Sequence, residues 1–180
     1  WDRKGRTDRA RDALKRAGEA AAKWGLVELS ESAALSEAHL LLRARKLDDA
    51  QKSYQSFTAR FPQSPLRAQA LYQRGLCLKK LERPEDAVEV FEDLAARHPG
   101  SAYAADAHLQ LGQLYTDLGR SEKALGHYQQ MGRASEGQDA DLEALLLMAQ
   151  VHYNKKRWGD AIPLYKKYLE GAGAAAKTKE

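Results

Sequence analysis

The stretch from residue 83 to 101, RPEDAVEVFEDLAARHPGS, gathers the side chains best able to do chemistry: Glu85, Asp86, Glu89, Glu92, Asp93 and His98. Carboxylates beside an imidazole can hold a divalent metal or divide the roles of acid and base. Either use demands more partners at converging spacing. The five histidines, His39, His98, His108, His127 and His152, include no pair at the His-x3-His spacing that places two imidazoles on one helical face. His98 falls where a helix should end, a place that favours a cation through the helix dipole. Cys77 lies among leucines and reads as a small packed hydrophobe rather than a nucleophile. Gly75, Gly112 and Gly119 are isolated and form no phosphate-cradling loop. The expectation is a chain with no catalytic residues, no cofactor and no metal, in which the acids start helices and cover exposed faces.

Bulk composition narrows the class. The chain has 180 residues, 43% of them hydrophobic and 30% charged, with a formal net charge of +4. That balance fits a folded, core-forming protein, and the interspersed signs give no basic face for nucleic acid. A single cysteine excludes an internal disulfide framework and every multi-cysteine zinc pattern. The longest apolar run, LEALLLMAQV at 142–151, is far short of the ~20 residues that span a bilayer. Because it opens on Trp1, the chain is read as a piece of a longer protein with further repeats upstream.

What must position these side chains is a repeat. Ala50, Ala87, Ala124 and Ala161 stand 37 residues apart; four residues beyond each come Tyr54, Phe91, Tyr128 and Tyr165, and three further on Phe57, Leu94, Met131 and Tyr168. Ala38, Gly75, Gly112 and Ala149 keep the same interval, as do Pro62 with Pro99 and Ser64 with Ser101. Apolar positions at i, i+3, i+4 and i+7 on both sides of a short break describe two amphipathic helices joined by a tight turn. Pro84 suits a first helical turn, Ser121 is expected as an N-cap, and FPQSPL and HPGSAY are expected to stop one helix and restart the next from Ser64 or Ser101. Small Ala and Gly sites let two helices cross closely, and the aromatic one turn away fills the groove beside them. No segment alternates with period 2, so the fold is all-α, and one hairpin cannot bury its face without a neighbour.

On these residues the chain resembles the tetratricopeptide repeat family: Gly75, Ala87, Phe91 and Pro99, and again Gly112, Ala124 and Tyr128, match its small, small, aromatic and closing-proline positions. Glu37 and Arg74 depart from it, at a position that is usually apolar. The period is three residues longer than the usual ~34, and the extra residues fall in the proline turns. F-P-x-S-P followed by A-x-A-L-Y-x-x-G is similar to bacterial cell-envelope members, the periplasmic coordinator of the Tol-Pal system and the lipoprotein of the outer-membrane assembly machine. The resemblance implies a right-handed superhelical stack of antiparallel hairpins. It divides into a partial N-terminal repeat at 1–30, the second helix of a truncated unit. Four units follow at 31–67, 68–104, 105–141 and 142–173, with a flexible tail at 174–180.

It also implies a non-catalytic adaptor that binds a protein partner, an extended peptide or a helix, on a concave wall lined by the first helix of each unit. By that geometry the wall presents Ser36 and His39, then Tyr72, Gln73, Leu76 and Lys80. Later units add Asp106, Leu109, Gln110, Gln113 and Asp117, then Glu143, Leu146, Leu147, Gln150, Tyr153 and Asn154. Their glutamine, aspartate and leucine character lacks the Lys/Asn/Arg clamp of the family's chaperone-tail binders. A periplasmic or envelope location is expected, with the cytoplasm as alternative. The alternative roles are self-association through exposed repeat ends and a cytoplasmic regulatory domain of a larger protein, and no nucleic acid is expected as partner.

Overall fold

A computed structural model describes residues 3–134 and 138–177. Among them the regular elements are nine α-helices: α1 Arg3–Lys23, α2 Val27–Arg43, α3 Leu47–Arg60, α4 Arg67–Lys80, α5 Pro84–Arg97, α6 Ala104–Asp117, α7 Ser121–Ala134, α8 Gln138–Asn154 and α9 Trp158–Lys177. They fall into two compact units that divide within α5, between Val90 and Phe91. Consecutive helices pack on one another: α1 on α2 and α2 on α3 and α3 on α4 in the first unit, and α6 through α9 likewise in the second.

Each hairpin turn is closed by the backbone. Arg45, Glu82, Gly119 and Lys156 adopt left-handed conformations, with φ of 58°, 56°, 71° and 57°, and they stand 37 residues apart. The residue after each donates its N–H across the turn: Lys46 to Leu41 O at 3.0 Å, Arg83 to Leu78 O at 3.0 Å, Arg120 to Tyr115 O at 2.8 Å and Arg157 to His152 O at 2.9 Å. This is the Schellman arrangement, which satisfies carbonyls that a helix end leaves open. It corrects one expectation. Ser121 is the first residue of α7 and not its cap, because Gly119 and Arg120 already close that turn.

Pro84 does begin α5, while α3 and α5 stop at Arg60 and Arg97, two residues before Pro62 and Pro99. Ser64 lies before α4 and holds the turn together: it is buried, accepts the Leu66 N–H at 3.2 Å and donates its hydroxyl to Glu31 of α2 at 2.8 Å. The segment read as a tail from 174 is helical through Lys177, since its alanines carry the strongest helix propensity. Residues 178–180 lie outside the described residues.

The core of the first unit is the cluster Leu35, Ala38 and Leu41 from α2, Ala50, Tyr54 and Phe57 from α3, and Ala70 and Cys77 from α4. Burial pushes the Cys77 thiol up to about 11, against a smaller opposite pull from Lys80, so it packs as a hydrophobe. In the second unit Leu111, Tyr115, Ala124, Tyr128 and Met131 are buried. There the role of the small residues is explicit. A Cβ added to Gly112 would lie 2.3–2.7 Å from three atoms of the Tyr128 ring, so α6 and α7 approach as closely as they do only because position 112 has no side chain. Small residues recur at other approaches: a Cβ added to Gly18 would lie 3.4 Å from the Ala33 Cβ, and one added to Gly132 would lie 3.0 Å from Asp141 Oδ1 and 3.3 Å from the Ala144 Cβ. Tyr165, the fourth aromatic of its series, stays half-buried, with no following first helix among the described residues to cover it.

One polar contact repeats with the fold. Lys46, just past the α2–α3 turn, reaches back to Asp8 in the first turns of α1 at 2.6 Å; Arg157, just past the α8–α9 turn, reaches back to Glu122 in the first turn of α7 at 2.7 Å. Both are exposed enough that each contributes at most about 1 kcal/mol. Their value is in register, since each ties a hairpin turn to the start of the preceding hairpin's second helix.

Gly112→Ala should lower stability by about 1–3 kcal/mol through overpacking on Tyr128, whereas Gly126→Ala, on an open part of α7, should raise it by up to ~1 kcal/mol. Urea unfolding measures both, and an unchanged midpoint for Gly112→Ala would contradict the close approach. In the same titration Lys156→Gly should stabilise by up to about 1 kcal/mol by relieving the left-handed backbone.

Candidate interaction surface

The acidic stretch that first suggested chemistry resolves into local pairs. Glu85 and Asp86 occupy the first turn of α5, where a carboxylate complements the helix N-terminus. Asp86 pairs with Arg83 at 2.6 Å, and Asp93 with Arg97 at 2.5 Å one helical turn on. Glu92 accepts the Tyr115 hydroxyl at 2.5 Å. Among the described residues no three His, Cys, Asp or Glu side chains converge as a metal group. His98 follows the last residue of α5 and donates its backbone N–H to Leu94 O at 2.9 Å.

The expected wall residues lie on the first helices of the hairpins, and each helix presents its own stripe. On α4, Tyr72, Gln73 and Leu76 are half-buried and Lys80 is exposed. On α6, Asp106 and Asp117 are exposed and Gln110 and Gln113 half-buried, at spacings of four, three and four residues that follow one helical face. Gln150, Tyr153 and Asn154 are exposed at the end of α8, with Glu143 exposed and Leu146 and Leu147 half-buried upstream. On α2, Ser36 and His39 are half-buried. The His39 ring meets Tyr54 edge-on, with centroids 5.8 Å apart, and burial, with Arg43 nearby, holds its imidazole below the usual range. His39 is therefore partly committed to the core of its own hairpin.

Three features escaped sequence reasoning. The first is Trp158, the opening residue of α9, whose ring meets Tyr153 edge-on at 4.9 Å between centroids while both remain about half exposed, at 48% and 53%. Only its repeat register, equivalent to Leu47, Pro84 and Ser121, placed it beside the end of the first helix. The second is the partner of Glu37. Arg11 of α1 reaches it with Nε 2.8 Å from Oε1, and that hydrogen bond raises the guanidinium above its ordinary value against an opposing desolvation. An acid at a normally apolar repeat position is thereby accounted for. The pair lies in a cleft of about 310 Å³ between α1, α2 and α3, with Lys15, Asp49, Lys52 and Arg60 among its lining. The third is the run of exposed apolar side chains at the α1–α2 turn, Trp24, Leu26, Val27 and Leu29, of which Trp24 is 77% exposed.

No helix among the described residues is long and apolar enough to cross a membrane. What the chain offers is an arrangement of amide, carboxylate and aromatic groups on short rigid helices. Such a surface can hydrogen-bond a peptide backbone and seat an apolar side chain.

Comparison with known proteins agrees with the fold. The chain is similar to a crystal structure of MamA over 97% of its own length and 93% of that chain, at 22% identity and a TM-score of 0.72. It is similar to BtubC from P. vanneervenii over 93% of its length and 72% of that chain, at 18% identity and a TM-score of 0.69. A tetratricopeptide repeat protein from Parabacteroides merdae matches 78% of the chain over 53% of its own length, at 21% identity and a TM-score of 0.66. At these identities the likeness concerns the fold. No curated protein matches the chain in sequence. The family model for the tetratricopeptide repeat matches residues 35–102 and, overlapping, 78–139. With more than half of the chain matched, and the hairpins, small-residue crossings and aromatic fillers in place, the protein belongs to the tetratricopeptide repeat family.

Proposed function

We propose that this protein is a non-catalytic scaffold that captures a protein partner, an extended peptide or a helix, on the exposed stripes of its first helices. The observation that carries this reading is the Tyr153–Trp158 pair, two large aromatic side chains half exposed beside the amides of Gln150 and Asn154. Exposed Trp and Tyr on a rigid support are the side chains that most often dominate binding energy. The stripes on α4 and α6, Tyr72, Gln73, Leu76 and Lys80, then Asp106, Gln110, Gln113 and Asp117, extend the same chemistry within each unit. The proposal places the protein in a bacterial envelope assembly or motility complex, supported by the FPQSP turn and its resemblance to periplasmic adaptors. Recovery of the protein in the cytosolic fraction of its cell would overturn that location.

A peptide selected for binding to the native chain should lose at least about tenfold in affinity to a Tyr153→Ala, Trp158→Ala double variant, with the far-UV circular dichroism unchanged. Equal affinity for native chain and variant would refute the surface.

The exposed apolar turn supports a second reading, self-association. Trp24, Leu26, Val27 and Leu29 are four exposed large apolar side chains within six residues, and concentrated apolar exposure marks interaction sites. Sedimentation across concentration should then show an oligomer that Trp24→Ser with Leu29→Ser reduces to monomer. A native chain that stays monomeric at every concentration excludes this role.

A further inference from the structure

The pairing of α6 with α7 brings together two histidines that are 19 residues apart in sequence. His108 Nδ1 and His127 Nδ1 are 3.1 Å apart, with ring centroids at 5.4 Å and planes inclined by 30°. The His127 ring also stacks on Tyr115, at 5.4 Å and 9°. Tyr115 is itself fixed, because its hydroxyl donates to Glu92 at 2.5 Å and Lys123 Nζ lies 5.0 Å over its ring. The His127 imidazole is therefore backed by a second layer of side chains, as orienting partners back the ligands of a metal.

Burial holds both imidazoles below the ordinary histidine range. His127 adds to the effect on His108; on His127 itself Glu92 pulls upward and Lys123 downward. Both rings are thus neutral near pH 7, the state in which an imidazole nitrogen can bind a metal. Two neutral nitrogens this close share one proton, one ring donating its Nδ1–H to the lone pair of the other. If the donor ring moves that proton to its own Nε2, both Nδ1 lone pairs become available and no proton leaves the pair. At metal–nitrogen lengths of ~2.0–2.1 Å, a 3.1 Å separation corresponds to an N–metal–N angle of about 95–102°. That lies between the ~90° of square-planar or octahedral sites and the ~109° of tetrahedral ones.

We propose that His108 and His127 form a two-imidazole site for a borderline divalent transition metal of the zinc and copper class. Each Nδ1 supplies one lone pair. Among the described residues no third side-chain ligand joins them, so the remaining positions are left to water or to a donor from a bound partner. Glu92, reached through Tyr115, offsets part of the added charge, and Lys123 opposes it. Imidazole is the ligand that zinc, copper and nickel share, whereas calcium and magnesium require oxygen and should not bind.

The test uses the untagged chain and ZnCl2, with long-range proton–nitrogen correlation spectra of the histidine rings. One equivalent of Zn2+ should shift the Nδ1 resonances of two histidines and convert the pair to two Nε2–H tautomers. His108→Gln and His127→Gln should each weaken Zn2+ binding by at least about tenfold, one of two ligands being lost, while His98→Gln and His152→Gln should leave it unchanged. MgCl2 should leave the spectra as they were. The site is overturned if Zn2+ moves only nitrogens of the other histidines, if the pair keeps its shared proton at several equivalents of metal, or if both glutamine variants bind as the native chain does. Should a glutamine variant fail to fold, the spectra of the native chain decide alone.

Discussion

A closely packed helical hairpin depends on what stands at the point where its two helices cross. In the second unit that point is Gly112, with the Tyr128 ring occupying the space a side chain would have taken. Dispersion and apolar burial fall steeply with separation, so a gap of even an ångström between helices forfeits much of the contact. The crossing also fixes the neighbouring geometry. With α6 and α7 held this close, the Tyr128 hydroxyl comes within 3.4 Å of Thr116 Oγ1, and His108 is brought against His127. In the first unit Ala38, Ala50 and Tyr54 are all fully buried in a single cluster, the same combination of small residues and an aromatic with alanine in place of glycine.

Because one hairpin leaves apolar surface that only the next can cover, stability in such an array is a matter of nearest neighbours. The ion pairs Lys46–Asp8 and Arg157–Glu122 act at the same joints. They are too exposed to add much energy, but they join the same two landmarks in different repeats. The last aromatic of the series shows the converse. Tyr165 has the residue type of Tyr54 and Tyr128 but not their burial, since burial comes from the neighbour and not from the residue itself. The surfaces left uncovered, at Trp24 to Leu29 and at Tyr153 with Trp158, are accordingly the ones proposed for interaction.

The opening stretch, RPEDAVEVFEDLAARHPGS, shows how the acids and the histidine are used. Two of its carboxylates pair with nearby arginines, a third accepts a tyrosine hydroxyl, and Pro84 starts the helix that carries them. The chemistry the chain does hold lies elsewhere, in two histidines whose separation along the chain matches no metal motif. Spacing rules of the His-x3-His kind detect ligands on one helix. They are blind to ligands on two helices, where the distance is set by a turn and a crossing.

Period, helix type and the small-to-aromatic pattern were legible from residue types alone, because a repeat writes the same local physics several times and each copy checks the others. Proline positions likewise announced where second helices stop. Three hairpin turns were not legible in this way: Arg45, Glu82 and Lys156 take a conformation that their side chains disfavour, and only closure of the hairpin imposes it. The candidate stripes on α4, α6 and α8 came from the resemblance to the repeat family and its concave wall. Their exposure did not, as His39 shows by turning onto Tyr54 while Tyr153 stays open beside Trp158. The partner of Glu37, the meeting of His108 with His127 and the uncovered apolar turn were likewise decided by the tertiary structure. Each depends on contacts between side chains distant in sequence, which no local pattern encodes.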